Sequence, residues 1–191
     1  MKIKVLIVVL MMALTTKDTQ AWIYSTYHTG IDDVVVTVAT TKSKNRLSLG
    51  FPYRGVNYGR LEIRKPKNKL YEVSVFLDKG IIMENGKDVL VKFDEEGSRL
   101  YRSGSPDDLS SKTISIYGRE PTPEEMKKDI DNWTTLSGKE RAEAATGYEG
   151  PKEFMEGLAK SKKVRIELLL FNEGYRILEF DVSSLDTSKM E

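Results

Sequence analysis

The chain has 191 residues, 39% hydrophobic and 31% charged, with 30 basic and 29 acidic side chains, a formal net charge of +1 and no cysteine. That length suits one domain, which at this size buries about two-thirds of the surface of its unfolded chain. The balanced charge gives no reason to expect nucleic acid, which calls for a basic patch. The lack of cysteine excludes disulfides, thiol catalysis, zinc–thiolate sites and a lipid-modified cysteine.

The N-terminus carries Lys2 and Lys4, then ten apolar residues from Val5 to Leu14, then a polar stretch ending Thr19-Gln20-Ala21. A basic head, a short apolar centre and a small residue before the cut form the pattern of a secretory signal peptide. The run is too short to cross a bilayer, which takes about 20 residues of helix. Residues 1–21 are therefore expected to be a leader, cleaved between Ala21 and Trp22, and the protein is expected in the periplasm or outside the cell. Loss of Lys2, Lys4, Lys17 and Asp18 moves the formal charge from +1 to −1. No stable membrane insertion is expected after removal of the leader, because no other apolar run approaches spanning length.

Next come strands and turns. Val34 to Ala39 is β-branched and apolar. Arg46 to Phe51 alternates Leu47 and Leu49 with polar neighbours and stops at Pro52, and Arg60 to Arg64 alternates Leu61 and Ile63 with charge. Period-two alternation is what a strand with one buried face requires. Tyr71 to Leu77, Val89 to Phe93, Leu100 to Arg102 and Thr113 to Tyr117 continue the series, separated by turn-rich segments. Regularly spaced strands without helices between them predict an antiparallel β-sandwich or barrel-like domain.

The character changes at Pro121. Thr122 as cap, Pro123 at the first helical position and Glu125 three after the cap predict a helix start. Met126, Ile130 and Trp133 then share one helical face. Ser137 to Glu140 repeats the capping signal, Gly147 and Gly150-Pro151 break it, and Lys152 to Lys160 predicts a further short helix. Val164 to Phe171 and Tyr175 to Val182, flanking Asn172-Glu173-Gly174, predict a closing hairpin that completes a sheet begun earlier. The reading is a mainly-β domain over 22–185, a helical insert at about 119–160 with its distinctive part at 119–150, and a tail over 186–191.

Several blocks then fall in a telling order: Trp22 with Tyr24; Ser43 to Asn45 leading into Leu47 to Tyr53 and Gly55; Leu61 to Arg64; Asp78-Lys79-Gly80; Val89 to Asp94; and Phe154 to Asp181, ending in Leu185. Together they resemble an uncharacterised family of bacterial secreted proteins and lipoproteins with a fPYxG, LxLR, KGQF, VxVRFD and VRIExxFYxEGxxxFEFDVxGL succession. The layout is more distantly similar to a type VI secretion accessory family of periplasmic proteins. The resemblance implies export and a β-rich fold, and no activity. The chain departs from the pattern at Ile81 to Asp88, where Glu84 and Lys87 stand roughly in place of a cysteine pair, and at Arg119 to Gly150, where the family has a short loop.

Candidate chemistry is sparse. His28 is the only histidine and no G-x-S-x-G elbow accompanies it, so it reads as a strand-end or surface residue. Asp94-Glu95-Glu96, Asp107-Asp108 and Asp32-Asp33 are acids near turns without calcium-loop spacing, and they read as solvated turn carboxylates. The Asn132-Trp133-Thr134 sequon is a short pattern that arises by chance. Tyr53, Arg54 and Tyr58, and Tyr24 with Tyr27, put amphipathic aromatics beside cations, the residue types enriched at interface hot spots. Trp133 on the insert is the remaining binding candidate, because insertions on a β scaffold commonly carry recognition. No catalytic residue, metal site or cofactor is expected. The functional expectation is a binding module at the cell envelope whose partner is an envelope or secreted protein. The alternatives are a periplasmic immunity or inhibitor protein, including one associated with a secretion system, and last a carboxylate-dependent hydrolase.

Overall fold

The computed structural model describes residues 22–30, 33–83, 89–104, 112–119 and 151–191, with only the backbone at 117–119. The leader, Ala21, Asp32, Glu84, Lys87, Asp107, Asp108 and the insert from Glu120 to Gly150, including the Thr122 cap, the sequon and Trp133, lie outside the described residues.

Among the described residues, eleven strands, one α-helix and one 3-10 turn follow in chain order: β1 (Ile23–Thr29), β2 (Val34–Lys42), β3 (Leu47–Leu49), β4 (Gly55–Asn57), β5 (Gly59–Pro66), β6 (Glu72–Leu77), β7 (Val89–Phe93), β8 (Arg99–Gly104), β9 (Thr113–Arg119), α1 (Lys152–Lys160), β10 (Lys163–Leu170), β11 (Gly174–Asp181) and the turn Thr187–Met190. Nine strands form one sheet in the order β1-β2-β5-β6-β9-β8-β7-β10-β11, antiparallel throughout, while β3 and β4 make a separate hairpin. The expected mainly-β, sandwich-like architecture is present.

Alternation places the core. Val73, Val75 and Leu77 of β6 are buried, as are Val164, Ile166, Leu168 and Leu170 of β10, with less buried residues between them. Cross-strand partners share a face, so the register assembles layers. Ala39, Ile63, Val73 and Ile116 form one, and Thr41, Leu61, Val75 and Ile114 the next. On the other half, Phe93, Val164 and Phe180 line up beside Val91, Ile166 and Leu178. Helix α1 buries Phe154, Met155 and Leu158 against this core. The Phe154 ring meets Phe93 at 5.4 Å and Tyr101 at 5.5 Å, both edge-on.

The sheet curls until its last strand meets the segment after β2. Lys44 N–H donates to the Glu179 carbonyl at 2.7 Å, and Asn45 bridges β11 with its Nδ2 on the Ile177 carbonyl (2.7 Å) and its Oδ1 accepting from Glu179 N–H (2.8 Å). Lys44 also pairs with Asp181 at 3.0 Å. Gly59, at the start of β5, lies so close to the Leu178 side chain that a Cβ there would collide with it. The β11 edge is thus covered, which removes one of the two open edges that a sheet exposes.

The stretch expected as a tail is docked. Asp186 N–H donates to the Tyr24 hydroxyl at 2.7 Å, Lys189 lies over the Tyr24 ring, and Met190 is only 1% exposed. A single buried methionine with Leu185 is enough to hold so short a segment, and periodicity has no purchase on it.

Candidate interaction surface

The hairpin β3–β4 lies between the end of β6 and the β10–β11 turn. It is fastened from within. Leu47 and Leu49 are buried, and fully buried Asn57 donates from Nδ2 to the Lys79 carbonyl at 2.5 Å and accepts from Lys79 N–H at 3.0 Å. Ser43, also fully buried, accepts from Gly59 N–H at 2.9 Å. Gly50 N–H donates to the Glu173 carboxylate at 2.5 Å, tying the tip to the β10–β11 turn. The Phe51–Pro52 peptide is cis.

With Leu47, Leu49 and Asn57 turned to the core side, alternation puts Arg46, Ser48, Val56 and Tyr58 on the outward side. Phe51, at the tip, is 79% exposed and Val56 is 56% exposed. Around these two apolar groups stand cations. Lys42 Nζ lies 3.6 Å from the centre of the Tyr58 ring, and the Arg46 guanidinium is 5.9 Å from the same ring. Arg54 is 6.0 Å from the Phe51 ring, and Lys79 Nζ reaches the Arg54 carbonyl at 3.4 Å. Arg60 lies over Phe76 at 4.6 Å.

Among the described residues, Lys42, Arg46, Arg54 and Lys79 have no carboxylate within ion-pair distance. Arg60 approaches Glu62 at only 3.9 Å, and that carboxylate is already held by Arg64 at 2.6 Å. Lys42 and Arg60 are direct cross-strand partners. Like charges placed opposite one another destabilise a sheet, and the aromatic rings beneath them return only part of that cost. The nearby acids are the exposed Asp78 and the largely buried Glu173, which is paired with Arg176 at 2.9 Å.

Of the residues expected from sequence, Tyr53 packs against the core, Arg54 is exposed beside Phe51, and Tyr58 is the ring beneath Lys42 and Arg46. The hairpin brings all three to one locality. Lys42, Arg46, Phe51, Arg60 and Lys79 were not anticipated. A signal for most of them exists: residues 42–61 contain five cations and no acid, in a chain whose totals nearly cancel.

The other candidates fall elsewhere. His28 Nδ1 lies 2.9 Å from Asp33, both exposed at the β1–β2 turn. Asp94 accepts from the N–H groups of Lys162 and Lys163 at 3.0 and 2.8 Å, latching the end of α1 to the β7 turn. Glu95 sits against Lys163 at 3.1 Å and Arg165 at 3.4 Å, and the Lys163 hydrogen bond first, then both charges, hold its carboxyl below the usual range. Glu96 pairs with Arg99 at 3.0 Å. These acids are engaged in tying turns to strands. Tyr27 lines a shallow hollow on the far end of β1, β2 and β5, with Val36, Arg64 and Pro66. Trp22 is buried in the core at 6% exposure.

The fold and this surface define a mainly-β protein with its β11 edge covered and a cationic, aromatic hairpin beside it. Comparison with family models, with curated proteins and with solved structures finds no match.

Proposed function

We propose that the protein is an exported interaction module of the bacterial cell envelope and that it holds an anionic partner on the outward face of β3–β4. One observation carries this reading: Lys42 and Arg46 at the Tyr58 ring, Arg54 beside Phe51 and Lys79 at the Arg54 carbonyl gather at one hairpin, and none has a carboxylate partner among the described residues. Folding gains nothing from crowding like charges, and Lys42 opposite Arg60 works against it. Such a cluster attracts and orients an anion from outside, because complementary potentials raise encounter rates and select partners. The leader-like N-terminus supports export, and the sequence resemblance to secreted proteins supports the same compartment.

The test is binding of the exported protein to envelope fractions of its own host as a function of salt. Binding is expected to weaken steeply as ionic strength rises, since exposed charges are screened beyond about 8 Å at physiological salt. The pair Lys42→Glu and Arg54→Glu should abolish it without lowering the unfolding midpoint. Binding that survives both charge reversals would remove the hairpin from the function.

A further inference from the structure

We infer that the anionic partner is a lipid bilayer surface, with Phe51 and Val56 entering the headgroup layer while Lys42, Arg46, Arg54 and Lys79 bind lipid phosphates. This rests on the reading of β3–β4 as the binding face and names what that face meets.

The shape is convex. Phe51 at 79% exposure and Val56 at 56% stand out to solvent, and neither lines the hollow at Tyr27 or the one at Ile82 and Leu168. A protein partner would have to supply a matching pocket for the ring and an acidic rim around it. An anionic bilayer offers both at every point: an apolar layer that accepts a side chain a few ångströms down, and phosphates above it. The cations are placed for that geometry, with Arg54 6.0 Å from the Phe51 ring and Lys79 hydrogen-bonded to the Arg54 carbonyl. Long basic side chains lay their stems along apolar surface and keep the charge in the polar layer.

The wedge is also pre-set. Buried Leu47 and Leu49, the Asn57–Lys79 pair and the Gly50–Glu173 bond fix the hairpin to the rest of the domain, so little freedom is lost on docking. Two apolar side chains are a small anchor. The contact is therefore shallow and reversible and needs the charges, as single weak anchors do.

A second exposed apolar residue beside cations provides the internal control. Leu70, 67% exposed, follows Lys67 and Lys69 at the β5–β6 turn. It lies at the opposite end of the ladder from the hairpin, since Gly59 pairs with Leu77 near one end and Arg64 with Glu72 near the other.

The experiment is co-sedimentation of the exported protein with vesicles of phosphatidylcholine, with and without about one-third phosphatidylglycerol. Binding is expected only to the anionic vesicles and is expected to fade with salt. Each of Lys42→Gln, Arg46→Gln, Arg54→Gln and Lys79→Gln should weaken it about fivefold. Phe51→Ser should weaken it about tenfold, and Leu70→Ser should leave it unchanged. Because the chain has no cysteine, a polarity-sensitive dye on Val56→Cys reports depth. Its emission should shift to the blue on anionic vesicles, whereas the same dye on Leu70→Cys, at the far end of the ladder, should not respond.

Equal binding to neutral vesicles, no binding, loss on Leu70→Ser with none on Phe51→Ser, or a silent dye at position 56 would each overturn the lipid assignment. If vesicles fail while an acidic envelope protein binds wild type and not Arg54→Glu, the lipid assignment falls and the interaction-module reading stands. If neither vesicles nor envelope fractions bind in a charge-dependent way, both fall. Unchanged thermal unfolding of each variant separates lost binding from lost fold.

Discussion

At the scale of single residues, Gly157 shows how tightly the helix is seated. A Cβ at this position of α1 would come within 2.6–2.9 Å of the Phe93 ring atoms. That ring cannot swing aside, because it is 2% exposed and wedged edge-on between Tyr101 at 6.5 Å and Phe154 at 5.4 Å. Alanine raises helix propensity by about 1 kcal/mol, but overpacking a filled core costs about 1–3 kcal/mol. Gly157→Ala is therefore expected to lower stability in denaturant unfolding despite its better propensity. Phe93→Leu in the same chain should recover part of the loss. A Gly157→Ala variant more stable than wild type would mean that the helix can lift from the ring.

At the scale of elements, the closure of the sheet depends on Asn45. Its amide donates to the Ile177 carbonyl and accepts from Glu179 N–H, so one short side chain satisfies two groups on the edge strand. Asn45→Ala leaves both without that partner and is expected to cost about 1–2 kcal/mol. Hydrogen exchange should locate the effect, with the Glu179 amide exchanging faster while amides in β6 keep their protection. Uniform acceleration across the sheet would show that closure and global unfolding are one event.

The strands that alternate were legible before the fold was known. Val89 to Phe93 and Lys152 to Lys160 appear with the expected bounds, and the β10–β11 hairpin forms around Asn172 and Gly174, both at positive φ. Strands β1 and β4 were not anticipated. All of β1 except Tyr24 is exposed, so Ile23 to Thr29 carries no buried face to read, and its pairing comes wholly from the β2 ladder. Strand β4 is three residues long and pairs only with β3. Its existence follows from the turn after Pro52 and from the Asn57 anchor rather than from propensity.

For the whole molecule, three carboxylates share a pH dependence; Asp181 and Glu95 join separate parts of the chain, and Asp186 caps the final turn. Burial raises the Asp181 carboxyl, but hydrogen bonds from Ser183 and Lys44 outweigh it and leave it below its usual range. Glu95 is lowered by Lys163 and Arg165, and Asp186 by the Ser188 hydroxyl. A depressed folded value means that the unfolded chain binds more protons on the acid side, so stability rises with pH through that range. The contribution is complete above about pH 4–5, where unfolded carboxylates are ionised, and is lost as pH falls through the lower folded values. The denaturant midpoint should hold from pH 7 to about 5 and then decline. Asp181→Asn should flatten part of the decline, and a midpoint constant down to pH 3 would contradict this account.

The sequence by itself determined the mainly-β class, the alternating core and the final hairpin, because each rests on local periodicity that burial on one face imposes. It also held, unread, the acid-free stretch from 42 to 61. The tertiary structure alone decided which of those cations remain unpaired. Lys44 found Asp181 only because the sheet curls β11 onto the segment after β2, while Lys42, Arg46, Arg54 and Lys79 were carried to a face where no described carboxylate reaches them. Pairing is a matter of distance across the fold, and spacing along the chain does not encode it.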